Sequence, residues 1–213
     1  NDPLVLKFNK NKYWLSIADT DVLLWCKGIA LNSKFRVKVT EPEACPLALQ
    51  GPKSFDMMRE ISGNNEAIMS LKYYQFVETE LFDIPVVIAR SGWSNQNGYE
   101  IYIKSEADGN PLWDKLMETG QSYNIAPGSP NQIDRMEAGM ISHLGDTTLD
   151  DNPLELNLPK FCDLDQEADF IGKEALKRIR DKGITKQFIG FKISGKNIGY
   201  NLRRMPIIDK DNI

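Results

Sequence analysis

Three side chains suited to chemistry stand close together in residues 88–104, Ile-Ala-Arg-Ser-Gly-Trp-Ser-Asn-Gln-Asn-Gly-Tyr-Glu-Ile-Tyr-Ile-Lys: Trp93, Glu100 and Tyr102. Residues 84–89 are apolar and β-branched, 91–98 carry two glycines among amides and hydroxyls, and 99–103 alternate. The pattern predicts strand, sharp polar turn, strand. On the second strand the alternation sends Glu100 and Tyr102 to one face and Tyr99, Ile101 and Ile103 to the other. A carboxylate beside an aromatic ring on an apolar-flanked strand must be met by hydrogen-bond donors if its face is covered.

The composition narrows the classes of function. The chain has 213 residues, enough for one large or two modest domains with a real core. A net charge of −4 argues against nucleic-acid binding, which needs a basic surface. No apolar run reaches the length of a membrane span, so no membrane association is expected. Cys26, Cys45 and Cys162 have neither metal-ligand nor disulfide-framework spacing, which points to a reducing, cytoplasmic setting. The lone histidine, His143, reads as a partly exposed helix-end residue; a histidine-rich metal site or a serine–histidine relay is not expected. The chain opens on Asn1 already running into a strand and closes on 206–213 with nothing after it. Both ends are expected to be missing from a longer protein.

The elements that must position these residues follow in order. Residues 4–8 and 13–17 flank a hairpin turn. Asp19, Thr20 and Asp21 offer caps to a helix carrying Val22, Leu23, Trp25, Cys26 and Ile29. Phe35, Val37 and Val39 alternate with basic residues and predict a half-exposed strand. A second unit begins at Cys45: a short strand at 46–49, a turn at Gln50-Gly51-Pro52, a helix from Lys53-Ser54, strands at 73–79, 84–89 and 99–104, and a helix over 108–119. A helix is expected over 131–141, bearing Arg135 and Glu137, and another after Asp169. Strands are expected at 187–193 and 205–208. The order suggests an α+β fold of the split-βαβ, ferredoxin-like type.

Several of these segments together resemble one family. Residues 89–93 with Gly98-Tyr99-Glu100-Ile101-Tyr102 are similar to a signature of the glycine-cleavage T-protein (aminomethyltransferase) family. So are Leu49-Gln50-Gly51-Pro52, Arg135-Met136-Glu137-Ala138-Gly139, Asn152-Pro153-Leu154-Glu155 and Phe170-Ile171-Gly172-Lys173-Glu174-Ala175-Leu176, all in the family's order and spacing. The resemblance implies a tetrahydrofolate-dependent one-carbon enzyme with subdomains around a central folate channel. On that template 1–44 belong to the second α+β subdomain, 45–160 form the folate-binding subdomain, 161–194 return to the second, and 195–213 begin a truncated C-terminal β-barrel. Three departures point to a demethylating branch whose donor is a sulfonium zwitterion: Trp93 in place of the usual Tyr, Ser94-Asn95-Gln96-Asn97 in place of Thr-Gly-Glu-Asp, and Asn1-Asp2 in place of an Asp-Asp pair.

The resemblance assigns roles residue by residue. Glu100 would grip the donor–donor edge of the pterin with two parallel charge-assisted bonds. Arg135 would contact the folate or steady Glu100. Trp93 and Tyr102 would shelter the sulfonium by cation–π attraction. Asp2 would orient or deprotonate the folate nitrogen. An activated methyl donor needs chiefly positioning and exclusion of water, which accords with a chain that carries no triad. The plain alternatives are a strand glutamate facing water, a surface helix arginine and aromatics packed in a core. Competing functions are aminomethyl transfer from a lipoyl carrier protein and a non-catalytic folate-binding regulator of the same fold. The 213-residue piece by itself is expected to have little or no activity.

Overall fold

A computed structural model describes residues 2–18, 20–196 and 199. It divides into two compact units, Asn1–Thr148 and Leu149–Ile213.

The first unit is built on a four-stranded antiparallel sheet of β3 (Pro46–Gln50), β4 (Phe76–Leu81), β5 (Ile84–Ala89) and β6 (Gly98–Ile103), in the order β3-β6-β5-β4. One face carries Leu49, Val86, Ile88, Tyr99, Ile101 and Ile103. These pack on Met57 and Met58 of α2 (Ser54–Ile61) and on Leu112 and Leu116 of α4 (Gly109–Gly120). The other face carries Val87, Ala89 and Tyr102 and is covered by a hairpin, β1 (Leu4–Asn9) with β2 (Lys12–Ser16), through Leu6, Phe8 and Trp14. Cover on both faces is why β5 reads as a continuous apolar run rather than an alternation. Along β6 the alternation does divide the side chains as expected, with Tyr99, Ile101 and Ile103 in one cluster and Tyr102 in the other.

The α+β class is the one the sequence suggested; the path through the sheet differs from a split βαβ. No helix separates β5 from β6, so a hairpin places β6 directly beside β5, and β4-β5-β6 form a meander with β3 added at its edge. β3 and β4 then run in opposite directions, where a split βαβ would make them parallel. A short helix α3 (Glu66–Met69), capped by the Asn65 side chain accepting from the Ala67 N–H at 3.0 Å, links α2 to β4.

Other expectations shift for local reasons. Helix α1 (Leu23–Leu31) forms behind Asp21, whose carboxylate accepts from the Leu23 N–H at 2.7 Å; Asp19 lies outside the described residues. The alternation at 35–39 makes no strand, because no ladder partner among the described residues meets it, and Phe35 and Val37 stand exposed. The helix expected over 131–141 is only α5 (Gln132–Glu137). It stops in a Schellman turn: Gly139 takes φ of 71°, the Met140 N–H bonds the Arg135 carbonyl, and the Gly139 N–H bonds that of Met136. His143 sits in the turn beyond, half-buried, its Nδ1 3.4 Å from Thr147 Oγ1.

In the second unit, α6 (Lys173–Lys182) starts three residues later than the apolar pattern suggested, after Gly172 at φ of 93°. Residues 187–193 form no strand. The Phe188 N–H bonds the Glu155 carbonyl at 2.7 Å, and Asn157 Nδ2 bonds the Phe188 carbonyl at 2.8 Å, so this backbone is spent on the 155–157 segment. Lys186 lies 2.7 Å from Asp151 and 3.7 Å from Glu155. The strand expected at 205–208 lies outside the described residues, as does most of the expected barrel start at 195–213.

Candidate functional site

Glu100 projects from β6 on the face opposite the helices. Its register partner on β5 is Ala89, so Ser91, two residues further on, shares that face and lies diagonally across from the carboxylate. Ser91 is buried, and its hydroxyl donates to Glu100 Oε2. The Tyr102 hydroxyl, two residues along the same strand, donates to the same oxygen at 3.4 Å. Burial pushes the Tyr102 phenol up to about 12, against the opposing effect of a hydrogen bond from Ser16 and with help from Glu100, so it stays protonated and available as a donor. Glu100 Oε1 makes no hydrogen bond within the described residues.

Tyr102 does not present a ring face. It is 3% exposed, packed among Leu6, Val87 and Ala89, with its centroid 6.2 Å from that of Trp14. What it offers the site is its hydroxyl. Phe8 lies 4.7 Å from Trp14 and 5.0 Å from Phe76, giving an aromatic cluster on the carboxylate's face. Trp14 went unremarked in the sequence because its pairing with Leu6 in the hairpin gives only a period-two signal shared by any covered strand.

The turn 90–97 is clamped from β3. Gln50 Nε2 donates to the carbonyls of Ser91 and Tyr99, both at 3.1 Å, and its Oε1 accepts from the Ser94 hydroxyl at 2.7 Å. The Gly51 N–H and the Ser54 hydroxyl both bond the Asn97 carbonyl at 2.8 Å. Glycines make room for this clamp. A Cβ on Gly92 would lie 2.3 Å from Gln50 Oε1, and one on Gly98 would lie 2.4 Å from the Leu49 carbonyl oxygen. The first obstacle is a movable side chain and the second is strand backbone. Gly98→Ala is therefore expected to cost about 1–3 kcal/mol by denaturant unfolding, more than Gly92→Ala.

Arg135 is placed differently from the expectation. At 4% exposed, its guanidinium donates to Asp146 by two hydrogen bonds, to Gln132 Oε1 at 2.7 Å and to the Met140 carbonyl at 3.0 Å. Asp146 also accepts from the Ser142 N–H at 2.9 Å. The guanidinium carbon lies 5.7 Å from the centroid of the half-buried Trp93 ring. Arg135 thus lies over the Trp93 ring, and among the described residues it makes no hydrogen bond to Glu100. Asp146, eleven residues away across an irregular turn, had no periodic signal to announce it. Asp2 is exposed, two residues before the hairpin whose Leu6 and Trp14 pack against Tyr102. A cavity of about 240 Å³ is lined by Ser54, Phe55, Arg90 and Tyr99, on the helix-covered side of the sheet.

The strand thus holds Glu100 under two hydroxyls, and the turn sets Trp93 beside a buried arginine. The chain belongs to the GCVT N-terminal domain family, whose model matches residues 1–166. It is 38% identical over 196 residues to the dimethylsulfoniopropionate demethylase DmdA of Ruegeria pomeroyi, covering 92% of this chain and 53% of that protein. It is 30% identical to the aminomethyltransferase of Halothermothrix orenii over 210 residues, covering 95% of this chain and 58% of that protein. To the aminomethyltransferase of Caldanaerobacter subterraneus subsp. tengcongensis it is 27% identical over 212 residues, covering 95% and 56%. The chain spans about half the length of the curated relatives it matches.

Proposed function

We propose that the whole protein is a tetrahydrofolate-dependent methyltransferase that demethylates a sulfonium donor, dimethylsulfoniopropionate, to give 5-methyltetrahydrofolate and methylmercaptopropionate. The observation that carries this reading is Glu100. One of its oxygens is braced by two hydroxyls, and the other is uncommitted within the described residues, on a face built of aromatic rings. Those features fit the amino-pyrimidine edge of a reduced folate, which needs a planar, ionised acceptor held in place.

Tetrahydrofolate, when bound, supplies the nitrogen that takes the methyl group. Glu100 holds its pterin edge. Trp93 shelters the positive sulfur, and Arg135, its charge matched by Asp146, lies over the indole without adding net charge. The methyl carbon leaves sulfur, which keeps the bonding electron pair as a neutral thioether. Asp2 accepts the proton released at the acceptor nitrogen. Because the leaving group is neutral, the work of the site is to align the partners and exclude water.

The 38% identity to a demethylase, over nearly the whole chain, supports the sulfonium as donor. The aminomethyltransferase relatives support a second reading, transfer from a lipoylated carrier. The whole protein, supplied with tetrahydrofolate and dimethylsulfoniopropionate, is expected to form 5-methyltetrahydrofolate, and Trp93→Leu to raise KM for the sulfonium roughly 5–30-fold. Turnover only with the aminomethylated carrier would establish the second reading. Folate binding with no turnover of either donor would make the protein a non-catalytic folate binder.

A further inference from the structure

We propose that Ser91, held in place by Gln50, is a positioning residue that presets the Glu100 carboxylate for its ligand. The inference rests on the folate reading of Glu100 and adds to it the device that makes the acid ready.

A glutamate side chain has three rotatable bonds, and freezing them at the moment of binding works against affinity. Here the freezing is done beforehand. The Ser91 hydroxyl donates to Oε2, and at 4% exposure it has no water to turn to instead. Ser91 in turn cannot drift, because its carbonyl accepts from Gln50 Nε2, whose second acceptor is the Tyr99 carbonyl on Glu100's own strand. One amide therefore ties the residue bearing the donor to the strand bearing the carboxylate. Gly92 and Gly98 flank that amide, each leaving space that a Cβ would deny it. The Tyr102 bond to the same oxygen, at 3.4 Å, is the longer one and cannot substitute. With Oε2 committed to these hydroxyls, Oε1 is the oxygen turned to the incoming edge.

The test is a cycle of tetrahydrofolate affinities on the whole protein: wild type, Ser91→Ala, Glu100→Ala and the double variant. Ser91→Ala is expected to fold as the wild type does and to weaken tetrahydrofolate binding about tenfold. In the Glu100→Ala background the same substitution is expected to change affinity less than twofold, because the side chain that Ser91 acts through is gone. Equal penalties in both backgrounds would show that Ser91 acts elsewhere and overturn the proposal, as would wild-type affinity in Ser91→Ala. A wild-type protein that binds no tetrahydrofolate would instead bring down the folate reading itself, and this inference with it.

Discussion

Glu100→Gln is expected to lower kcat/KM for tetrahydrofolate roughly 10–150-fold, the equivalent of about 1.5–3 kcal/mol for one charge-assisted bond lost at Oε1. Glutamine keeps the length and shape of the side chain and can still accept from Ser91. It loses the charge, and its NH₂ group faces a donor where an acceptor is needed. Folding stability is expected to change little, because Glu100 is only half-buried and its protein partners are hydroxyls able to bond either side chain. Steady-state kinetics and a thermal melt on the same preparation check both halves. Undiminished turnover would remove Glu100 from the site.

Asp146→Ala is expected to be the most destabilising single change at the site, by about 3–5 kcal/mol, because it strands the Arg135 guanidinium in a buried position. For a chain of this size that corresponds to a fall in Tm of roughly 6–20 °C. The loss of the Ser142 N–H bond adds to it. Replacing both partners, Arg135→Met with Asp146→Leu, is expected to recover most of the loss, since an apolar pair leaves no orphaned charge. The double variant should still bind the sulfonium less well than wild type, because Trp93 loses its support. By contrast, the exposed pair Lys104–Glu78, at 2.8 Å, is worth little to stability. A melt of Asp146→Ala within a degree or two of wild type would show that the pair is not held as described.

Much of the site was legible before the fold. The period-two pattern over 99–103 placed Glu100 opposite the helix-packed face, because side-chain alternation is intrinsic to an extended backbone. The turn composition of 91–98 announced the hairpin that sets β6 beside β5. The same kind of reasoning failed at 35–39, where alternation was present, and the strand expected at 187–193 did not form either; among the described residues neither meets a ladder partner. A strand is a relation between two segments, and its pattern on one of them names no partner. At 131–141 the apolar spacing outran the helix, because a glycine in a left-handed conformation closed it at Glu137.

Residue order alone settled the α+β class and the face of β6 that carries the carboxylate, since each depends on periodicities within a few residues. Only the tertiary structure decided that Tyr102 gives its hydroxyl and not its ring, that Arg135 pairs with Asp146 beside Trp93, and that Gln50 holds Ser91 against Glu100. Those outcomes depend on which groups are left without water and must find one another, at separations from two positions for Tyr102 and Glu100 to 49 for Gln50 and Tyr99. Competition among buried donors for the nearest acceptor is settled in three dimensions.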